Sequence, residues 1–462
     1  MTVVGGDDGD HLATRERGVL RALMRIATPF GAHSSRAAPS AETRPHLRRN
    51  FTLGVISGVA YNLYLATLST QLVMTWFLSE LTDSNLLISL LLPIEIGSWY
   101  FLQLVLLGYV QRRARALPMY QAMAAIRVAA MALLSLATFV LDRPTPLTVA
   151  FMSTFAISSV AAGISALPFL QVVMKTIPPR KRGMYFGWRR FAGGLLGLAG
   201  AALVRAVLAP DFALAFPDNY GLLFAAGCLI TLVMVGTFSL VLEPAEQGDP
   251  GGSATTQPLG DGLRQALRDG NYRRYLGLRV ALAVASYSLP FYAVYARRTL
   301  QATGDRLGTY LMGATLAGVL SNLLLGGMGD RRGNRLLVRV AAVTAVLPPA
   351  AALSLAHVGE TALDPGVLFT LVFVLQGLHE TAHSIGSNNY LLELGGSKER
   401  VTYVSLAHGA VGLAILGSPL GGAMVDRMGL ESLFTLSLVG GLVALVLSLG
   451  LGEPRMDGQR GG

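Results

Sequence analysis

The chain has 462 residues, of which 14% are charged and 52% hydrophobic, with a mean hydropathy of +0.51. Soluble domains carry roughly 25% charged residues, so a soluble fold of this length would lack the polar surface to stay in water. The single cysteine, Cys228, excludes an intrachain disulfide and a four-cysteine zinc site. The net charge of +10 raises nucleic acid as a partner, but the distribution of that charge points to a membrane instead.

Residues 1–50 form a basic arm with no apolar stretch long enough for a signal peptide. Val19, Leu23 and Ile26 set against Arg17, Arg21 and Arg25 give an amphipathic helix over 12–30 that suits the inner leaflet. The acidic Gly-rich start and the Ser/Ala/Pro-rich 32–45 are equally compatible with disorder.

Beyond the arm, apolar blocks repeat at membrane-spanning length. Backbone polar groups in lipid must be bonded within the segment, so the expected fold is an all-α membrane protein. Twelve helices are predicted, at 53–78, 85–110, 117–141, 147–174, 185–208, 219–242, 273–297, 307–328, 336–357, 366–392, 401–424 and 430–452. A hydrocarbon core needs about 20 residues per crossing. With twelve spans both termini share one side, and that side holds 29 of the 37 Lys and Arg residues, against six in the opposite loops. The positive-inside rule then places both termini in the cytoplasm.

Residues 243–271 are the one long internal polar stretch, with Glu-Pro at 243–244, Asp-Pro-Gly-Gly at 249–252 and Ser-Ala-Thr-Thr at 253–256. They read as a linker between six-helix bundles at 51–242 and 272–452, followed by a tail at 453–462. The halves echo each other at an offset of 218, which pairs Gly108 with Gly326, Arg113 with Arg331, Arg182 with Arg400, Tyr185 with Tyr403 and Gly194 with Gly412. One ungapped offset serving separate loops indicates a duplicated unit, an arrangement common in transporters.

Between spans eight and nine runs Gly326-Gly327-Met328-Gly329-Asp330-Arg331-Arg332-Gly333-Asn334-Arg335. A partial copy follows span eleven as Gly422, Asp426, Arg427 and Gly429, and a degenerate one in the first half keeps Gly108 and Arg113 but has Arg112 where an Asp is expected. This pattern resembles the loop signature of the major facilitator superfamily. The segment Pro178-Pro179-Arg180-Lys181-Arg182-Gly183 leading to Tyr185-Phe186-Gly187-Trp188-Arg189-Arg190 is similar to a loop in a large group of prokaryotic permeases of that superfamily. The resemblance covers about residues 50–455. It implies two pseudo-symmetric six-helix bundles and a cytoplasmic latch built from Gly326, Asp330, Arg331, Gly333, Arg335, Asp426 and Arg427. Basic topology signalling alone would also explain the arginines.

Ionisable residues at depth are functional candidates. Gln376, His379, Glu380, His383 and Ser387 lie at i, i+3, i+4, i+7 and i+11 in span ten, one helical stripe. The resemblance implies that spans one, four, seven and ten line a central cavity. His379-Glu380-Thr381-Ala382-His383 also spells H-E-x-x-H, the zinc-peptidase pattern, with no third ligand evident. Glu95 in span two shares a face with Trp99 and Gln103 and can exchange protons with a cavity or pair with Arg127. Tyr61, Tyr64, Gln71 and Thr75 follow the 3–4 spacing in span one beside Asn62, suiting ligand contact or aromatic packing. In span seven Tyr287, Phe291 and Tyr295 adjoin Pro290, which can break the helix. Asn322, His408 and Arg279 are weaker candidates.

The expectation is therefore a non-enzymatic, multi-pass protein of the cytoplasmic membrane. It would be a secondary active transporter of a small solute, working by alternating access as a functional monomer among membrane lipids. Protons are the expected coupling ion, and no cofactor and no nucleic acid is expected. No Gly-x-x-x-x-Gly-Lys-Ser/Thr loop is present for ATP drive. The alternative is a transporter of a divalent metal or metal chelate using His379, Glu380 and His383. A membrane sensor and an intramembrane metallopeptidase are the rivals from other classes.

Overall fold

The computed structural model describes residues 46–111, 113–244, 264, 266–356, 364–394 and 400–453, with backbone alone at 103–105, 107–108, 111, 329–332, 356 and 400–401. The basic arm, most of the linker and the side chains of Asp330 and Arg331 lie outside the described residues. All regular structure within them is helical.

Among the described residues eleven helices are long and apolar enough to cross a membrane. In chain order α1 is Leu47–Leu81, α2 Asn85–Leu102, α3 Leu117–Val140, α4 Pro144–Thr176, α5 Pro179–Val207 and α6 Asp218–Ser239. In the second half α7 is Gly270–Arg298, α8 Gly304–Met328 and α9 Asn334–Leu355. The next helix, α10, is Thr370–Glu393, and α11, Thr402–Met428, and α12, Leu430–Leu449, complete the set. The polar stripe keeps α10 out of the apolar count, yet its 24 residues reach about 36 Å at 1.5 Å per residue, enough for a hydrocarbon core.

α11 turns at Gly417 just before Ser418-Pro419, and three other helices are interrupted where the chemistry of their residues differs from the run around them. α1 breaks at Leu68–Ser69 and resumes as a π-helical turn, Thr70–Met74. α2 holds a second π segment, Pro93–Gly97. α7 passes through a 3₁₀ turn at Ser286–Ser288, immediately before Leu289-Pro290. Pro290 cannot donate a ladder bond, so the break falls where the proline predicts it. Adding the repeat offset of 218 to Leu68 lands on Ser286, so the breaks in α1 and α7 occupy equivalent places in the two halves.

Both ends of the polar stretch at 243–271 are tied into the helices. Glu243 is buried and caps the start of α3, while Asp269 accepts from Asn271 N at 2.8 Å and Tyr272 N at 3.1 Å and so caps α7. Ala266 is buried against Tyr272 and Tyr275.

The halves meet through α5 with α8, α2 with α11, and the second part of α7 with the second part of α1. The first two contacts are copies of each other. A Cβ on Gly194 would stand 2.5 Å from Val319, and one on Gly412 would stand 3.2 Å from Phe101. Both residue pairs are related by the same offset of 218.

The apolar core is not uniform along the bundle. At the end opposite the 46–50, 240–244 and 450–453 segments, one cluster runs through both halves, from Trp76, Phe77 and Phe151 to Phe291, Phe369 and Phe434. At the end carrying those segments, here called the basic end, each half keeps its own cluster. Tyr120, Tyr185 and Phe238 belong to the first half, and Tyr272, Tyr275 and Tyr390 to the second. The halves are fused at the far end and separate at the basic end.

Candidate functional site

A cavity of about 230 Å³ lies within the first half, lined by residues of α1 to α6. Of the predicted site residues it takes Tyr61, Tyr64, Glu95 and Trp99. Glu95 sits in the π segment of α2 and accepts a 2.9 Å hydrogen bond from Thr70 Oγ1 in the π segment of α1. π turns widen the helix by one residue and aim side chains that an α register would place elsewhere. The ion pair between Glu95 and Arg127 that sequence offered as a structural alternative is absent, although both residues line the cavity.

Two arginines also line it, and sequence reasoning gave them no site role. Arg127, on α3, and Arg189, on α5, are each 9% exposed. Arg189 is held by the Gly54 carbonyl and by Tyr185 Oη at 3.1 Å, and its guanidinium lies 4.9 Å from the centre of the Phe169 ring. Arg127 has no such hold, and its Nε is buried without a hydrogen-bond partner. The available signal was position: Arg127 stands near the middle of an otherwise uncharged span.

The α10 stripe divides between two roles. Thr381 donates to the carbonyls of Gly377 and Gly318, setting one face against α8. His379 Nδ1 lies 3.1 Å from the Ala341 carbonyl and 3.3 Å from Thr344 Oγ1, so it faces α9. Glu380 projects from the remaining side and is exposed. Gln376 is buried with Nε2 unpaired, and His383 Nδ1 lies 3.2 Å from Ser387 Oγ. The two imidazoles stack with centroids 5.7 Å apart. Among the described residues no group of three or more His, Cys, Asp or Glu is placed to hold a metal ion. Within the H-E-x-x-H match, His379 is the imidazole turned to a neighbouring helix.

Other predicted residues lie outside this cavity. Tyr287 donates to the Ala414 carbonyl and packs at Gly417 and Gly421. Phe291 is fully buried, and Tyr295 stacks on Phe369. Asn62 bridges Gly58 and Arg189 carbonyls at 2.8 and 3.2 Å, tying α1 to α5. Gln71 and Asn322 are half-buried and line no part of the cavity. Arg279 is 2% exposed and donates to Tyr275 Oη and, across the halves, to Tyr100 Oη, both at 3.2 Å. It therefore bridges the bundles rather than snorkelling. Tyr100 also packs edge-on to His408.

The latch residues are split between the two ends. Gly333 takes φ +85 where α8 turns into α9, and Arg335 lies 3.8 Å from Glu453. Asp426 lies at the far end and accepts from Asn85 Nδ2 at 2.7 Å, while Arg427 is exposed. A single cytoplasmic latch containing all seven residues is thus corrected: the chain crosses the bundle three times, as α9, α10 and α11, between Arg335 and Asp426. Sequence reasoning missed the far-end ties. Arg297 donates to the Ser79 carbonyl at 2.6 Å, and Arg298 to Asn85 Oδ1 at 3.0 Å and the Thr82 carbonyl at 2.9 Å.

Residues 276–462 match the family model of the Major Facilitator Superfamily. The structure of a D-xylose-proton symporter superposes with a TM-score of 0.64 at 15% identity, covering 89% of this chain and 99% of that one. A point mutant of the nucleoside transporter NupG gives 0.63 at 14% identity, covering 87% and 98%. The second half of the chain is thus similar in sequence to that superfamily, and the whole chain shares the fold of these two transporters. The match is by sequence across the second half and by fold across the length. No curated protein matches it in sequence.

Proposed function

We propose that this chain is a secondary active transporter of the major facilitator type that carries a small solute by alternating access, with protons as the coupling ion. Twelve helices cross the cytoplasmic membrane, α10 among them, and both termini lie in the cytoplasm. The basic arm, the two bundles at 51–242 and 272–452 and the linker between them form a functional monomer, surrounded by lipid. The observation that carries the reading is the uneven core: one apolar cluster joins the halves at the far end, while separate clusters serve them at the basic end. Two bundles hinged at one end and parted at the other form one of the two states that rocking requires. On the positive-inside rule the parted end faces the cytoplasm.

Solute enters the first-half cavity past Tyr61, Tyr64 and Trp99, opposite the α10 stripe of Gln376, His379, Glu380 and His383. Glu95 and Glu380 are the proton carriers. A carboxyl group inside a span either pairs or exchanges protons, and neither residue has an ion pair among the described residues. One of the structural relatives is a D-xylose-proton symporter, which is consistent with that coupling.

The test uses purified full-length protein in proteoliposomes containing a pH-sensitive dye, with xylose, uridine and short carboxylates added in turn. Solute-dependent proton flux is expected in the wild type. In Glu95→Gln and Glu380→Gln that flux should be lost while solute counterflow remains. Counterflow without proton flux in the wild type removes proton coupling. Binding without any counterflow removes transport and leaves a sensor.

A further inference from the structure

We infer that the solute is a small organic anion with an apolar body, anchored by the guanidinium of Arg127. This rests on the transport reading of the same cavity and adds the chemical class of its cargo.

Arg127 is the eleventh residue of the 24-residue α3 and is nine-tenths buried. Its guanidinium makes no hydrogen bond and no ion pair with any described residue, and its Nε is fully enclosed. An arginine does not shed its charge, and a buried cation without a partner is strongly unfavourable. Such a group persists where the cavity supplies the missing acceptors. Glu95 is the one carboxylate in the cavity lining, and it stands beyond ion-pair distance with its Oε1 bound to Thr70. Arg189, the second cation of the lining, is already engaged by the Gly54 carbonyl, Tyr185 and the Phe169 ring. The cavity therefore carries two positive groups against one negative group, and one of the positive groups has an unused planar fork. That fork matches the two oxygens of a carboxylate.

The rest of the wall selects the body of the solute. Tyr64, Met131, Leu134, Phe155 and Phe169 present apolar surface. Two of the hydroxyls in the lining are turned away from it: Thr154 donates to the Ala150 carbonyl of its own helix and Ser165 to that of Ala162. An aromatic or short aliphatic body would be desolvated on most sides there.

Thermal shift of the purified full-length chain tests the inference, using benzoate, phenylacetate and hexanoate, each beside its amide, and inorganic phosphate. At least one carboxylate should raise the melting temperature while its amide and phosphate do not. Arg127→Gln should bind that carboxylate roughly 30-fold more weakly or worse, and Arg127→Lys should retain part of the effect. Should Arg127→Gln fail to fold, the wild type still decides: the same carboxylate should protect Arg127 from phenylglyoxal, read by peptide mass spectrometry. The inference is overturned if no carboxylate acts, if an amide or phosphate acts equally, or if Arg127 is not protected. Counterflow separates the two readings. A carboxylate that binds Arg127 but never exchanges across the membrane keeps the anion site and sinks transport. Counterflow of a neutral solute with no carboxylate binding does the reverse.

Discussion

Thr70 and Glu95 join two π-helical segments from different helices through a single 2.9 Å hydrogen bond at the cavity wall. The break at Leu68–Ser69 frees the start of the second part of α1 from the α ladder, and that is where Thr70 reaches across to α2. Removing the hydroxyl leaves Glu95 without its one partner in the lining. A hydrogen bond to a carboxyl group in a desolvated site is worth about 1–3 kcal/mol. Thr70→Val should therefore reduce pH-gradient-driven uptake in proteoliposomes by about tenfold or more, and Thr70→Ser should stay near wild type. Equal uptake by all three would show that the bond only packs the helices.

Arg298 decides how firmly the far end is closed. Its bonds to Asn85 and to the Thr82 carbonyl cross between the halves, and the nearby Asp83 is fully exposed and adds little. After solvent screening each bond contributes about 1 kcal/mol. Losing both in Arg298→Ala should shift the balance between the two states by about 30-fold toward opening at that end. Ser79 is 2% exposed beneath this cluster. Ser79→Cys in a Cys228→Ser background should label slowly with a membrane-impermeant maleimide, and Arg298→Ala should make it label faster.

Gly422 and Gly326 make a matched pair. A Cβ on Gly422 would stand 2.5 Å from the Asn85 carbonyl, against backbone that cannot yield, so α2 and α11 touch there only because no side chain intervenes. A Cβ on Gly326 meets nothing within 4 Å. Gly422→Ala should mimic Arg298→Ala in the labelling assay. Gly326→Ala should leave labelling unchanged and raise stability by about 0.5–1 kcal/mol through helix propensity. A Gly326→Ala variant that changed labelling would restore this glycine to the latch implied by the loop signature.

Much of the fold was legible because lipid demands long apolar runs, and those runs start and stop within a few residues of the helices. The repeat offset was legible too, and the equivalent contacts Gly194–Val319 and Gly412–Phe101 give it a physical meaning. The site was only partly legible. Glu95, Tyr61, Tyr64 and Trp99 could be chosen by depth and spacing, and the cavity takes all four. Tyr287 and Tyr295 had the same credentials and turned out to be packing, because helical spacing says which residues share a face but not what that face meets. His379 fails for a related reason: it stands beside Glu380 in sequence yet points at α9. Arg127 was passed over as the partner of Glu95, since whether two charged residues on different helices come within reach depends on register that no single-helix pattern contains.

Glu243 illustrates a residue whose setting reverses its sequence reading. Followed by proline at the start of a polar stretch, it looks like solvent-exposed linker. Instead it is buried, accepts from Ala116 N at 3.0 Å and Leu117 N at 2.8 Å at the start of α3, and pairs with Lys175 at 3.1 Å. The carboxylate thus satisfies backbone donors that a helix start leaves open and holds the ends of α3, α4 and α6 together. Glu243→Ala leaves Lys175, whose side chain is 9% exposed, as an unpaired buried cation and uncaps α3. Breaking a buried pair in this way destabilises by about 3–5 kcal/mol, so the variant should melt well below wild type in detergent. Glu243→Gln keeps one acceptor and should fall between the two. Combining Glu243→Ala with Lys175→Met removes the stranded charge and should recover part of the loss, leaving about 1 kcal/mol for the missing cap. No recovery in the double variant would place the whole effect in the cap and not in the ion pair.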